Sequence, residues 1–511
     1  MSSPSYISIT QNLISLKPLL KSPKTSLSHK LLLPTPRQAS RYFIPLLAFW
    51  ALLNISQLLL SPPPSCSRHL HHHHLRQTAQ NLDNFWKWAY SGVPNVRPCL
   101  DFSKSYRNSS LKKRSAKYMM AVVSGGLNQQ RNQIIDAVVV ARILGAVLVV
   151  PVLQVNQVWA DESEFGDIFD VQHFKETLKD DVAVISSLPS THLGNRRVRA
   201  PVMPFNADEN WVRKNYVHKL GRESVLLLRA FDSRLTKDLN PDLQKLRCKV
   251  AFEALKFQPW IQEIADRFIQ RMKEDGPYMA LHLRLEKDVW VRTGCHSGLG
   301  KEADLVIANE RASKPQFLTS RSKLTPQQRY HAGLCPLNAN DTSRLLKGLG
   351  ALRKTRIYWA GGEPFGGQDA LKPLQSQFPN LFNKWSLARP GELDGIKRKP
   401  SVMAALDYAV CLESQFFMAS HGGNMARSLQ GQRTYMGHGK HIRPNKKLLV
   451  KLFMEKGLSD DEMEKRIKQM HTVSLDGASF LRNNTSIDVI GFPIPYCMCS
   501  RERTSFTSVQ K

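Results

Sequence analysis

Two separated stretches of this chain carry the same three-part pattern, and the repetition limits the folds open to it. Residues 118–123 (YMMAVV) are a short apolar run followed by Ser124, Gly125 and Gly126. Beyond the glycines, Ile134, Ile135, Val138, Ala141 and Leu144 recur at helical spacing, and Gly145 closes the run before a second apolar stretch at 146–151. Wholly apolar strands are buried on both faces, as in parallel sheets whose crossovers are helices. Residues 415–419 (QFFMA) lead in the same way into Ser420, His421, Gly422, Gly423 and Asn424, where a helix is expected. Further strands are expected at 182–185, 278–284 and 356–360, with helices within 243–272 and over 401–412. The expected fold class is therefore α/β, with two Rossmann-like halves facing a central cleft. Gly276 and Pro277 divide them into an N-terminal half at 118–275 and a C-terminal half at 276–496, before a tail at 497–511.

Charge helps to say what precedes these halves. The 511 residues carry a formal net charge of +30, and residues 1–117 supply +14 of it. No zinc-finger spacing, RNP-type aromatic motif or basic zipper accompanies the excess, which argues against a nucleic-acid partner. Residues 42–60 (YFIPLLAFWALLNISQLLL) are uncharged, near the roughly 20 residues that cross a bilayer, and six basic residues precede them. That pattern predicts a cytosolic tail at 1–41, a single transmembrane signal anchor at 42–60 and a stem at 61–117. A plastid or other organelle transit peptide is the competing reading, because residues 1–41 are rich in Ser and contain no acidic residue. Sequons at Asn108, Asn340, Asn483 and Asn484 favour the lumenal orientation. In that compartment, pairs among Cys248, Cys295, Cys335, Cys411, Cys497 and Cys499 are candidates for disulfides.

Candidate chemistry follows from where polar residues meet strand ends. The turn at 124–128 lacks both G-x-G-x-x-G and the Lys-Ser/Thr of a phosphate-binding loop, which disfavours nicotinamide and ATP. It is expected to direct Asn128, Gln129 and Arg131 into the crevice, at a helix N-terminus that suits anions. A tight turn without a ligand is equally open. His282 and Arg284 alternate along one strand and face the same way. Glu286 and Asp288 follow at its carboxyl end. Two halves with glycine turns on one cleft fit transfer from a nucleotide sugar. Arg284 matches diphosphate bidentately, His282 can hydrogen-bond it, and the Gly422 and Gly423 amides can form a nest. Glu286 or Asp288 is a candidate for the base that deprotonates an acceptor. The chain has no D-x-D pair, so the expectation is catalysis with no metal and no cofactor beyond the donor substrate.

These residues also carry a resemblance. SGGLNQQR (124–131), HLRLEKD (282–288), LDYAVCLES (406–414) and FMASHGGNM (417–425) resemble the plant protein-O-fucosyltransferase-like family, over roughly residues 118–496. The resemblance implies a GT-B type, inverting, metal-independent glycosyltransferase, anchored as a type II protein in the Golgi membrane. Its implied donor is GDP-fucose and its acceptor a hydroxyl of a glycan or glycoprotein. It implies that Arg284 is catalytic, with His282 beside it. Gly125, Gly126 and Asn128 would lie near the sugar and acceptor. Asp407, Ser420, His421, Gly422, Gly423 and Asn424 would lie near the nucleotide. Some animal relatives place a catalytic Glu before the glycine turn, where this chain has Ser124. Other plant relatives resemble pectin rhamnosyltransferases, so a rhamnosyltransferase acting on cell-wall polysaccharide is one alternative. A non-catalytic lumenal carbohydrate-binding protein is another.

Overall fold

A computed structural model describes residues 96–110, 117–156, 160–194, 198–318, 323–438, 441–475, 488–494 and 496–500. The expected tail and anchor at 1–41 and 42–60, and the sequons at Asn483 and Asn484, lie outside these residues. Among the described residues no helix is long and apolar enough to cross a membrane.

Two parallel sheets form the body. The strands, in chain order, are β1 (Val96–Pro98), β2 (Tyr118–Val123), β3 (Val147–Val149), β4 (Val152–Leu153), β5 (Val184–Ile185), β6 (Val198–Arg199) and β7 (Val225–Leu228). They continue as β8 (Tyr278–His282), β9 (Arg356–Ala360), β10 (Leu381–Phe382), β11 (Phe416–Ala419), β12 (His441–Ile442) and β13 (Met498–Ser500). The first sheet runs β5–β3–β2–β7–β6, with β4 beside the far end of β2, and the second runs β10–β9–β8–β11–β12. The strand expected at 146–151 is shortened to β3, and the further strand β4 follows Pro151, which has no N–H to give a ladder. The helical stretch expected within 243–272 is three elements: Pro241–Cys248, a π-helix at Lys249–Ala254, and α2 at Pro259–Lys273.

Pleating sorts the side chains of the second sheet. Tyr278 and Ala280 of β8, Tyr358 and Ala360 of β9, and Phe417 of β11 join a core shared with the first half. Their neighbours Met279, Leu281, Ile357, Trp359, Phe416 and Met418 join a separate core on the other face. His282 has the parity of Ala280 and so points toward the first half. Most positions of helix α1 (Leu127–Leu144) are buried, and Gly145 ends it in the left-handed region at φ 60°. Helices α3 (Pro400–Leu412) and α4 (Asn424–Tyr435) complete the contact from the second half.

The folded body also begins earlier and ends later than the expected boundaries. Residues assigned to the stem pack on the first half: Ser103 Oγ donates to Asp242 Oδ2 at 2.5 Å and Tyr106 Oη to Asp181 Oδ1 at 2.9 Å. Strand β1 pairs antiparallel with β13, from the expected tail, and Cys99 is bonded to Cys499 beside them. Cys248–Cys497 and Cys295–Cys335 are the other disulfides among the described residues. Cys411, expected among the pairing candidates, is instead a buried free thiol.

Candidate active site

Ser420, immediately after β11, is fully buried and ties the ends of β8 and β11 to the segment around Leu337. Its N–H donates to the His282 carbonyl at 3.0 Å and its carbonyl accepts the Leu337 N–H at 3.0 Å. Its Oγ accepts the Arg284 N–H at 2.9 Å. Strand β8 ends at His282, so Arg284 lies past the strand rather than on it, anchored through its backbone. The Arg284 guanidinium lies against the second glycine turn: a Cβ at Gly423 would sit 3.6 Å from its Nη1. A Cβ at Gly422 would meet nothing within 4 Å, so the turn opens onto free space. Asn424 begins α4 directly behind it.

The two histidines here are neutral for the same reason. Burial, assisted by the Arg284 charge, pushes His282 down to about 3, and its Nδ1 has no hydrogen-bond partner. Burial pushes His421 down to about 4, with the Lys446 charge the next cause. Lys446 Nζ lies 3.1 Å from His421 Nδ1 and donates to the Cys335 carbonyl at 2.7 Å. An ammonium only donates, so Nδ1 accepts and the ring proton sits on Nε2. Burial lowers Lys446 to about 8. No motif in the sequence singles out this lysine.

Carboxylates expected to face the substrate are differently placed. Glu286 Oε1 accepts the Gly362 N–H at 2.9 Å, and Oε2 stands 3.5 Å from Arg284 Nε. It therefore braces Arg284 against the turn that follows β9. Asp288 pairs with Arg292 one turn along its own helix, at 3.4 Å and well exposed, and makes no contact with Arg284. Asp407 is enclosed. Tyr358 Oη donates to Oδ1 at 2.7 Å, while Lys384 Nζ at 2.7 Å and the Gly361 N–H at 3.2 Å take Oδ2. Lys384 also donates to the Gly361 carbonyl at 2.7 Å, so this buried pair holds both backbone polar groups of Gly361. Gly361 has φ +150° and a Cβ there would meet the Leu283 carbonyl oxygen at 2.6 Å, so only glycine fits.

The first glycine turn is closed by its own chain. Gly125 has φ +89°, and the Gln129 side chain folds back so that its Oε1 accepts the Gly126 N–H at 3.1 Å. Gln129 Nε2 reaches Asp232 Oδ2 at 3.4 Å. Arg131, expected in the crevice, turns the other way. It donates to the Ala251 carbonyl and to Gln432 Oε1, and stacks 4.4 Å from the Tyr408 ring centre. A guanidinium caught between two halves on an aromatic face contributes about 1–2 kcal/mol to their union. Asn128 is buried with its Oδ1 unpartnered. Asn132 Nδ2 meets Asn424 Oδ1 at 3.2 Å, which brings the starts of α1 and α4 together. The Asn132–Asn424 contact thus sets the turn at Gly125–Gly126 and the start of α1 at Asn128 beside the cluster of Arg284, His282, Ser420, His421, Gly422, Gly423 and Asn424. Glu286 stands just behind it, Asp407 is sealed beneath it, and Asp288 is outside it. Asn108 and Asn340 are exposed, each on a helix.

A crevice with an aimed guanidinium, an open glycine turn and neutral histidine donors is suited to an anionic leaving group. Comparison with known proteins identifies relatives of the chain. Residues 118–436 match the model of a family described as GDP-fucose protein O-fucosyltransferase. O-fucosyltransferase 24 of Arabidopsis thaliana is 53% identical over 428 residues, covering 83% of this chain and 73% of that protein. O-fucosyltransferase 20 of Brassica napus is 51% identical over 433 residues, covering 84% of this chain and 78% of that protein. Among solved structures, POFUT1 in complex with GDP-fucose covers 62% of this chain and 94% of that one, at 14% identity and a TM-score of 0.39.

Proposed function

This chain belongs to the GDP-fucose protein O-fucosyltransferase family, and from that premise we propose that it transfers fucose from GDP-fucose to a hydroxyl of a glycan or glycoprotein. The observation that carries this reading is the Arg284 guanidinium, held at Ser420 by its backbone and at Glu286 by its charge, lying against the open Gly422–Gly423 turn. As the bond to the sugar breaks, negative charge grows on the diphosphate, and a cation already in place needs no reorganisation to meet it. Lys446, acting through His421, adds an Nε2–H donor on the same side. Asn128 and the turn at 125–126 face the sugar from the other half.

Displacement proceeds with inversion and without a divalent metal in this reading, because protein cations take the role a metal–diphosphate clamp would fill. The compartment is the Golgi lumen, reached through a type II anchor at 42–60. Three disulfides and the exposed sequons at Asn108 and Asn340 support an oxidising, glycosylating environment.

The test is a thermal-shift and hydrolysis screen of the full chain against nucleotide sugars, in chelator. GDP-fucose is expected to raise the melting temperature and to release GDP. Stabilisation by UDP-rhamnose with none by GDP-fucose would overturn the donor assignment. Unchanged gel mobility after N-glycosidase would overturn the lumenal placement.

A further inference from the structure

An inverting transfer needs a group that removes the acceptor's hydroxyl proton on the side of the sugar opposite the diphosphate. Glu286 stands beside Arg284, with its oxygens toward the Gly362 N–H and the guanidinium. Asp407 is enclosed by Lys384, Tyr358 and Gly361. Asp161 is taken up by the N–H groups of Ser163 and Ser401, and Asp136 by Arg247. Each of these carboxylates has its oxygens engaged by partners that position backbone or cancel charge.

Asp232 is placed otherwise. Strand β7 lies beside β2, with Leu228 opposite Ala121. Asp232 follows Leu228 by as many residues as Gly125 follows Ala121, so its loop and the first glycine turn leave the same edge of the sheet side by side. Gln129 joins them physically, capping the Gly126 N–H with one end and reaching Asp232 Oδ2 with the other. One helical turn further along α1, Asn132 meets Asn424, whose neighbour Gly423 lies against Arg284. Asp232 and Arg284 therefore flank the paired starts of α1 and α4, one from each half.

The partners of Asp232 are neutral: the Gln129 amide and its neighbour's hydroxyl, Ser233 Oγ, at 3.1 Å from Oδ1. Among the described residues no cation pairs with it. The loop around it is held firmly. Ala230 and Ser233 both lie in the left-handed region, at φ 54° and 53°. The Ala207 N–H donates to the Arg234 carbonyl at 3.0 Å, and the Thr236 N–H to the Ala207 carbonyl at 2.8 Å. A half-buried carboxylate with neutral partners, on a pinned loop facing the crevice, has what a general base needs.

We infer that Asp232 is the catalytic base of this enzyme, an assignment that rests on the fucosyl-transfer reading above. The acceptor oxygen bonds to the anomeric carbon of fucose as the carbon–oxygen bond to the β-phosphate breaks. GDP leaves with the electron pair, facing Arg284, and the hydroxyl proton passes to the Asp232 carboxylate.

The test uses the full chain with Asp232→Ala and Asp232→Asn, GDP-fucose as donor, and water as acceptor. Both variants are expected to release GDP at least about 100-fold more slowly, with GDP-fucose affinity within twofold of wild type. Sodium azide, a nucleophile with no proton to lose, is expected to restore GDP release in Asp232→Ala and to yield fucosyl azide of inverted anomeric configuration. A residue that only shapes the loop gives no such rescue. Asp232→Asn is nearly isosteric and decides the matter if the alanine variant fails to fold. GDP release within threefold of wild type in Asp232→Asn overturns the assignment. So does a loss that azide leaves unchanged while donor affinity is intact. A wild-type protein that neither binds nor cleaves GDP-fucose overturns the fucosyl-transfer reading and this inference with it.

Discussion

The turn after β2 is filled by its own chain, whereas the turn after β11 is left open with a guanidinium lying against it. Both follow a buried parallel strand and start a helix. In the first, Gly125 takes a left-handed conformation and Gln129 occupies the space beside it and caps Gly126. The polar groups nearby are neutral amides and the carboxylate of Asp232. In the second, a Cβ at Gly422 would meet nothing within 4 Å, the Arg284 guanidinium lies against Gly423, and the neutral His421 ring takes the Lys446 ammonium. One local motif thus takes two forms, a closed turn beside a carboxylate and an open turn beside a guanidinium; in the proposed reading the first serves the sugar and acceptor and the second the diphosphate. Backbone geometry is shared; the side chains that converge from elsewhere decide the role.

The strongest way to break that comparison is to remove the cation from the open side. Arg284→Ala is expected to lower turnover by about 1,000-fold or more, the scale on which a guanidinium acts on a departing phosphate. Its melting temperature should stay close to wild type, since the side chain is about a third exposed. Turnover within tenfold of wild type would show that the open turn does not hold the leaving group.

Next in size is the support beneath that side. Lys384→Met leaves the Asp407 carboxylate buried without its cation, with a cost of about 3–5 kcal/mol in denaturant unfolding. Both side chains are less than a tenth exposed, so solvent screens little of this. Replacing the two together, Lys384→Met with Asp407→Leu, should recover most of the loss, because the pair is then removed whole. If the single variant unfolds like wild type, the Gly361 peptide is held by packing alone.

This support also marks where the sequence stops being legible. The strands at 118–123, 278–282, 356–360 and 416–419 could be read because burial on both faces leaves an apolar run that local composition reveals. The glycine turns, His282 and Arg284 could be read because they sit at the ends of those runs. Lys384 follows a strand of only two residues and looks like any other lysine. Asp232 lies in a loop with no motif, and its meaning comes only from the pairing of β7 with β2. Arg131 could not be told from a crevice residue, since its partners Gln432 and Tyr408 come from the other half of the chain. The same holds for Cys99 and Cys499, joined across 400 residues. What is local in sequence shows as pattern; what depends on register and on contacts across the halves does not.

Acid offers a smaller perturbation of the open side. His282 and His421 have folded pKa values of about 3 and about 4, below the ordinary value of about 6.5. Between those values the unfolded chain binds protons that the folded chain refuses, so stability is lost as pH falls from about 6.5 toward 4. His282→Asn should flatten this part of the stability–pH curve by up to about 1.4 kcal/mol per pH unit. Asp136, which burial raises to about 7, acts with the opposite sign, so the informative quantity is the difference between variant and wild type. Parallel curves would mean that His282 is already protonated in the folded protein.

The smallest effects separate the two turns most cleanly. Gly125→Ala must place a Cβ at φ +89°, only 2.5 Å from Gln129 Oε1. The strain and the displaced cap should cost about 1–3 kcal/mol of stability. Gly422→Ala meets no atom within 4 Å, and Gly422 is not among the residues with positive φ. It should leave stability unchanged or raise it by about 0.5 kcal/mol, through the less flexible unfolded chain. Its methyl group nevertheless projects into the space assigned to the diphosphate. GDP affinity should therefore fall about tenfold, equivalent to about 1.4 kcal/mol. Stability and GDP affinity measured for both variants give four numbers, and the comparison requires them to cross: stability lost only at Gly125, affinity lost chiefly at Gly422. If Gly422→Ala binds GDP as wild type does, the open space beside Arg284 is not where the diphosphate lies, and the asymmetry between the turns loses its functional meaning.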